Sequence, residues 1–186
     1  MDKIKLYDKT FKVYIKNEKI EARIKEVANQ INQDYTDKDC PIFLGVLNGS
    51  FMFAASLIKN INVLSEILFV KLESYEGTQS TGTVKQLIGI NEDLTGRKII
   101  IVEDIVDTGG TIEKLDQILK EKGASEVKVC TLFYKPASYT KKIPIDYRAF
   151  DIPNDFIVGF GLDYDHLGRQ YKDIYIIDEN ENKLNK

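Results

Sequence analysis

Apolar positions along this chain follow two rhythms that take turns. Phe11, Val13 and Ile15 alternate with polar residues, the period-two pattern of a short half-buried strand. Ile20, Ile24, Val27 and Ile31 then recur at helical spacing and give one apolar stripe, with Asn17 placed to cap that helix. Residues 41–47 (Pro-Ile-Phe-Leu-Gly-Val-Leu) are almost wholly apolar, as expected of a strand buried on both faces. They run into Asn48-Gly49-Ser50 and then a helix carrying Phe51, Met52, Ala54, Ala55, Leu57 and Ile58. A strand is expected at about 67–72 and an extended segment at 84–90. The stretch 74–83 between them has two glycines and no large aliphatic residue, so the pair reads as a hairpin around a long mobile loop.

The second half repeats the alternation. Lys98-Ile-Ile-Ile-Val102 predicts a buried strand, 103–110 a polar loop, and 111–122 a helix with Ile112, Leu115, Ile118 and Leu119 on its apolar face. Gly123 is placed to end that helix. Another buried strand is expected at 127–133. Strands alternating with helices imply an α/β fold, with a mostly parallel central sheet flanked by helices on both faces. Short strands at 156–160 and 173–177, among prolines and aromatics, suggest a small cap over the carboxyl edge of the sheet. The expectation is one domain over 1–186, its core at about 36–135 and its cap built from the N-terminal segment and about 136–186.

Composition narrows the function. There are 26 Lys+Arg against 29 Asp+Glu, and only Arg23, Arg97, Arg148 and Arg169 are arginines, so no basic face for nucleic acid is expected. No run of about 18 apolar residues is present, and the charged N-terminus has no apolar signal core. A cytoplasmic protein with two free thiols, Cys40 and Cys130, is the plainest reading, although spacing alone leaves a disulfide open. His166 is the only histidine, which disfavours a zinc site or a Ser-His-Asp triad; it reads as a surface residue.

The chemistry concentrates in Ile99-Ile-Ile-Val-Glu103-Asp104-Ile105-Val106-Asp107-Thr108-Gly109-Gly110-Thr111-Ile112. Three carboxylates lie where a buried strand ends, the place where open α/β sheets bind ligands. Thr108, Gly109, Gly110 and Thr111 follow at a helix N-terminus, whose free N–H groups and dipole favour an anion. An acidic half beside an anion-binding half suits a sugar phosphate: carboxylates for ribose hydroxyls or a hydrated Mg²⁺, the turn for a terminal phosphate. Neither G-x-x-x-x-G-K-S/T nor G-x-G-x-x-G occurs here.

This segment resembles the phosphoribosyl pyrophosphate (PRPP) signature of the type I phosphoribosyltransferases. From about Lys12 to Ile177 the chain resembles their hypoxanthine-guanine branch. The resemblance implies the type I phosphoribosyltransferase fold with its small hood, Mg²⁺ as cofactor, and a homodimer or homotetramer. It implies transfer of a phosphoribosyl group from PRPP to hypoxanthine or guanine, giving IMP or GMP and pyrophosphate. Glu103 and Asp104 would meet the ribose hydroxyls, Asp107 would act at purine N7 as general base, and residues 107–111 would hold the 5′-phosphate. Leu47, Asn48 and Gly49 match the pyrophosphate turn, although the family often has a basic residue where Asn48 stands, and Arg169 matches a pyrophosphate-side arginine. Ile105, Lys135, Phe156, Ile157 and Asp163 match the purine site, with Lys135 donating to the 6-oxo group and Phe156 stacking on the base. Glu103, Asp104 and Asp163 would be the metal ligands, and Ser74 and Tyr75 would open a lid. Another superfamily enzyme, acting on adenine, xanthine or a pyrimidine, and a non-catalytic PRPP- or nucleotide-sensing regulator remain as alternatives.

Overall fold

The computed structural model describes residues 2–72 and 86–184. The chain opens with strands β1 (Lys3–Leu6) and β2 (Lys9–Ile15) and helix α1 (Asn17–Asp34), followed by β3 (Ile42–Val46), α2 (Phe51–Ile58), β4 (Glu66–Leu72) and β5 (Gln86–Ile88). Then come β6 (Lys98–Val106), α3 (Gly110–Glu121), β7 (Glu126–Tyr134), β8 (Tyr147–Asp151), β9 (Ile157–Val158), β10 (Ile174–Ile177) and α4 (Glu179–Leu184). Among the described residues the large sheet has the order β5-β4-β3-β6-β7-β8. Its strands run parallel except β5, which returns antiparallel to β4 with Lys71 opposite Ile88. That is the expected hairpin pairing.

The two-sided burial inferred from the unbroken apolar runs is present. Along β6, Ile100 and Val102 pack with α1 and α2, while Ile99 and Ile101 pack with α3. Every residue of β3 is buried. The stripe Ile20, Ile24, Val27 and Ile31 is fully buried, and the Arg23 side chain reaches across to donate to the Ala149 carbonyl (2.9 Å), tying α1 to the edge strand β8. Gly123 ends α3 with φ +85°: its N–H donates to Lys120 and that of Ala124 to Leu119, the paired bonds that close a helix through a left-handed glycine.

A second sheet, β1-β2-β10-β9, joins the N-terminal segment to the C-terminal part of the chain around Phe11, Val158 and Tyr175. Several boundaries differ from expectation for identifiable reasons. Asn17 does not cap α1; its backbone N–H is taken by Asp173 Oδ1 (2.8 Å), a partner 156 residues away that local pattern cannot supply. β6 runs on through Glu103 to Val106, where a polar loop was expected, because β7 continues the ladder opposite it (Ile105 to Phe133, Val106 to Tyr134). The expected strand at 156–160 shortens to β9, since Gly159, Phe160 and Gly161 all have positive φ. β1 and β8 were not foreseen, and β8, from within the 136–186 segment, pairs parallel with β7 on the large sheet.

Candidate active site

Two adjoining clefts open at the carboxyl end of the large sheet. The first, about 290 Å³, lies between the ends of β6 and β7 and the loop around β9. Asp104, Ile105, Asp107 and Lys135 line it from the large sheet, and Phe156, Ile157, Leu162 and Asp163 from the other side. The second, about 310 Å³, surrounds the start of α3 and is bordered by Glu103, Asp107 and residues 108–112. Ile105 and Asp107 border both, so the two adjoin at one strand end.

Each cleft has its own local cause. In the first, Lys135 is 8% exposed, and its ammonium donates to Asp107 Oδ2 at 3.1 Å. An ammonium has three N–H groups, so donors remain for a ligand. Phe156 is 46% exposed although it is a phenylalanine. Phe11 (6.3 Å, tilted) and Tyr164 (5.7 Å, edge-on) pack against its ring, which still lines the cleft and offers it an apolar surface. In the second cleft, Gly109 has φ +86° and no side chain caps α3, so the first-turn N–H groups are available to an anion. Gly109 also has no room for a side chain: a Cβ would lie 2.4 Å from the Tyr139 ring and 2.8 Å from the Lys141 stem. Thr140 donates its backbone N–H to Thr108 O (3.4 Å), so the segment after β7 clasps the turn.

The acidic pair divides between the clefts. Strand alternation sends neighbours to opposite faces. Glu103 lines the α3-side cleft and Asp104 the other. Glu103 Oε2 is buried with no hydrogen-bond partner. Burial lifts the Glu103 carboxyl well above its usual range, and the neighbouring charge and hydrogen bond of Asp104 add to it. Burial also raises Asp104, against the Ile105 N–H and the charge of Arg169, which pull it down.

Asp104 is held by the turn after β3. A Cβ on Gly49 would fall 1.6 Å from Asp104 Oδ2, so only glycine allows this approach. A Cβ on Gly161 would in turn lie 2.1 Å from the Gly49 carbonyl, which packs the three segments in series. The Leu47–Asn48 peptide is cis, and Asn48 is exposed. Arg169 donates to Gly161 O (2.6 Å) and pairs with Asp163 Oδ1 (2.7 Å), while Asp163 Oδ2 accepts the His166 N–H (2.8 Å). Arg169 therefore faces the joint and not open solvent. His166 is exposed, and both cysteines are free thiols.

Of the sequence-inferred residues, Glu103, Asp104, Ile105, Lys135, Phe156, Ile157, Asp163 and 107–111 line the two clefts, Gly49 and Arg169 contact cleft residues, Leu47 and Asn48 line neither cleft, and Ser74 and Tyr75 lie outside the described residues. Glu103, Asp104 and Asp163 do not form one cage: among the described residues no three His, Cys, Asp or Glu side chains cluster around a common metal position. Sequence reasoning missed Leu162, the clasp of Tyr139, Thr140 and Lys141, and Lys114 on the rim of the α3-side cleft. Helical spacing was the available signal for Lys114, four residues beyond Gly110. The clasp gave none.

A parallel sheet whose carboxyl edge carries an acidic strand end, a phosphate-suited turn and a cleft between Lys135 and an exposed aromatic ring defines a class, and comparison with known proteins agrees with it. Residues 12–165 match the phosphoribosyl transferase domain family, and the chain belongs to it. Among its relatives is the hypoxanthine-guanine phosphoribosyltransferase of Streptococcus pyogenes, 45% identical over 153 residues, covering 82% of this chain and 84% of that protein. The crystal structure of a hypoxanthine-guanine phosphoribosyltransferase from Bacillus anthracis superposes with a TM-score of 0.81 at 35% identity, over 89% of this chain and 96% of that one. The hypoxanthine phosphoribosyl transferase of Trypanosoma cruzi does so with 0.85 at 32%, over 97% and 98%.

Proposed function

We propose that this protein transfers the 5-phosphoribosyl group of PRPP to N9 of hypoxanthine, and of guanine, releasing pyrophosphate and forming IMP or GMP in purine salvage. The observation that carries this reading is that the two clefts share Ile105 and Asp107, which gives a base and a phosphate neighbouring sites for one molecule to span. The whole chain is read as one phosphoribosyltransferase domain. It acts in the cytoplasm as a homodimer or homotetramer, in keeping with its free thiols and with the prevalence of symmetric assemblies.

The base would stack on Phe156, with its edge along the Ile157 backbone. Lys135 would donate to the 6-oxo group while keeping its contact with Asp107. An adenine 6-amino group would set donor against donor, a mismatch worth factors of about 10⁴ in a site built to hydrogen-bond one group. The turn 107–111 would hold the 5′-phosphate through backbone N–H groups. As N9 attacks C1 of the ribose and pyrophosphate leaves, positive charge grows on the sugar. Asp104 and Glu103 face that charge, and Asp107 accepts the proton the purine loses. Leu47, Asn48, Gly49 and Arg169 would border the departing pyrophosphate.

The site suits Mg²⁺. Its donors are carboxylate oxygens, and Glu103 Oε2 is buried without a partner. A Mg²⁺ that keeps its waters and takes phosphate oxygens from the substrate needs only one or two carboxylates, so a three-acid cage is not required. Glu103, Asp104 and Asp163 are the residues that would hold it, and when bound it neutralises the charge of the leaving pyrophosphate. The test is an assay of purified protein with PRPP and Mg²⁺ against hypoxanthine, guanine, xanthine and adenine in turn, following pyrophosphate and the mass of the nucleotide. Hypoxanthine and guanine should react and adenine should not. Pyrophosphate release without nucleotide, or a preference for adenine, would reject the reading.

A further inference from the structure

We propose that Lys114 is a phosphate-binding residue of the α3-side cleft, the ammonium that receives the 5′-phosphate of the ribosyl substrate and so sets the affinity for phosphorylated over unphosphorylated ribose. This rests on the phosphoribosyl-transfer reading above. The cleft already holds two carboxylates, Glu103 and Asp107, which oppose a phosphate dianion. Of the cations near the two clefts, Lys135 is paired with Asp107, Lys141 with Glu113 and Arg169 with Asp163. Lys114 also lines the α3-side cleft, and among the described residues no carboxylate lies within ion-pair distance of it.

Its position suits the task. Helical side chains lean toward the N-terminus and cover the preceding turn, so Lys114 projects over Gly110. The space beside Gly110 is open: a Cβ there would meet nothing within 4 Å. A long stem can therefore cross that gap and bring its ammonium to the anion seated on the first-turn N–H groups. One charge-assisted contact at this partly solvated position corresponds to about a tenfold change in affinity.

The experiment compares wild type, Lys114→Gln and Lys114→Arg. Calorimetry gives the affinity for IMP, and initial rates are measured with PRPP and hypoxanthine varied separately. The Gln variant should bind IMP about tenfold more weakly at low salt and show a similar rise in KM for PRPP. KM for hypoxanthine and kcat should hold, Arg should restore most of the loss, and the gap should narrow toward 1 M salt as the charges are screened. Unchanged IMP affinity in the Gln variant, or an equal rise in KM for PRPP and hypoxanthine, would overturn the assignment. If wild type itself binds neither IMP nor PRPP, the transfer reading fails first and takes Lys114 with it.

Discussion

Replacing Glu103 by Gln should make the ligand-free protein more stable and a poorer enzyme. Glu103 stands beside Asp104, and its Oε2 is buried without a hydrogen-bond partner. The side-chain amide of Gln carries no charge and can donate to Asp104, so the repulsion between the two acids disappears. Leaving a buried polar group unsatisfied costs about 1–3 kcal/mol. Recovering about 1 kcal/mol would raise Tm by about 2–4 °C in a chain of this size. The effect has a direction in pH. Burial and Asp104 lift the Glu103 carboxyl above its usual 4.5, so the folded protein keeps a proton that the unfolded chain has released. Stability of the wild type therefore falls as pH rises from about 4.5 through the raised value, and the variant escapes that loss. Calorimetric Tm measured from pH 4 to 8 in metal-free buffer should show a gap that is small at pH 4 and widens above it. Above the raised value, where Glu103 is ionised, kcat/KM with PRPP should drop in the variant, because the carboxylate no longer faces the charge on the ribose. A variant that is less stable, or a gap independent of pH, would refute the reasoning.

Other changes address the remaining parts of the site. Asp107→Asn should lower kcat by a factor of about 10² to 10⁴, the range expected for loss of a general base, with little change in PRPP affinity; steady-state rates and calorimetry check this. Lys135→Ala should weaken use of hypoxanthine and relax discrimination against adenine, read as the ratio of kcat/KM for the two bases. Gly49→Ala should abolish turnover, since its Cβ would sit 1.6 Å from Asp104 Oδ2 and force the turn or the carboxylate aside. Circular dichroism should show the fold retained, because the turn lies beyond the end of β3 and outside the apolar clusters that hold the sheet to its helices.

How much of this was legible beforehand depended on whether the signal was local. The helix stripe of α1 and the apolar runs of β3 and β6 follow from periodicity, because burial on one face or two leaves a period in the sequence. The segment from Glu103 to Thr111 was legible because carboxylates, glycines and threonines in that order have a chemical use. What escaped depends on distant partners. Polar residues of β6 remain in the sheet because β7 lies beside them. The cap of α1 comes from Asp173, and Asp104 is positioned by Gly49 and Gly161 from two other loops. The division of Glu103 and Asp104 between clefts also required knowing that the strand continues past Val102.

The central claim is that one molecule spans both clefts, base on Phe156 and Lys135, phosphate on the turn before α3. A crystal structure of the protein with IMP tests this most directly. The account predicts the 6-oxo oxygen within hydrogen-bond distance of the Lys135 ammonium, the purine face against the Phe156 ring, and the 5′-phosphate on the backbone N–H groups of 108–111. A nucleotide bound elsewhere, or bound in reverse with its phosphate at Lys135, would contradict it.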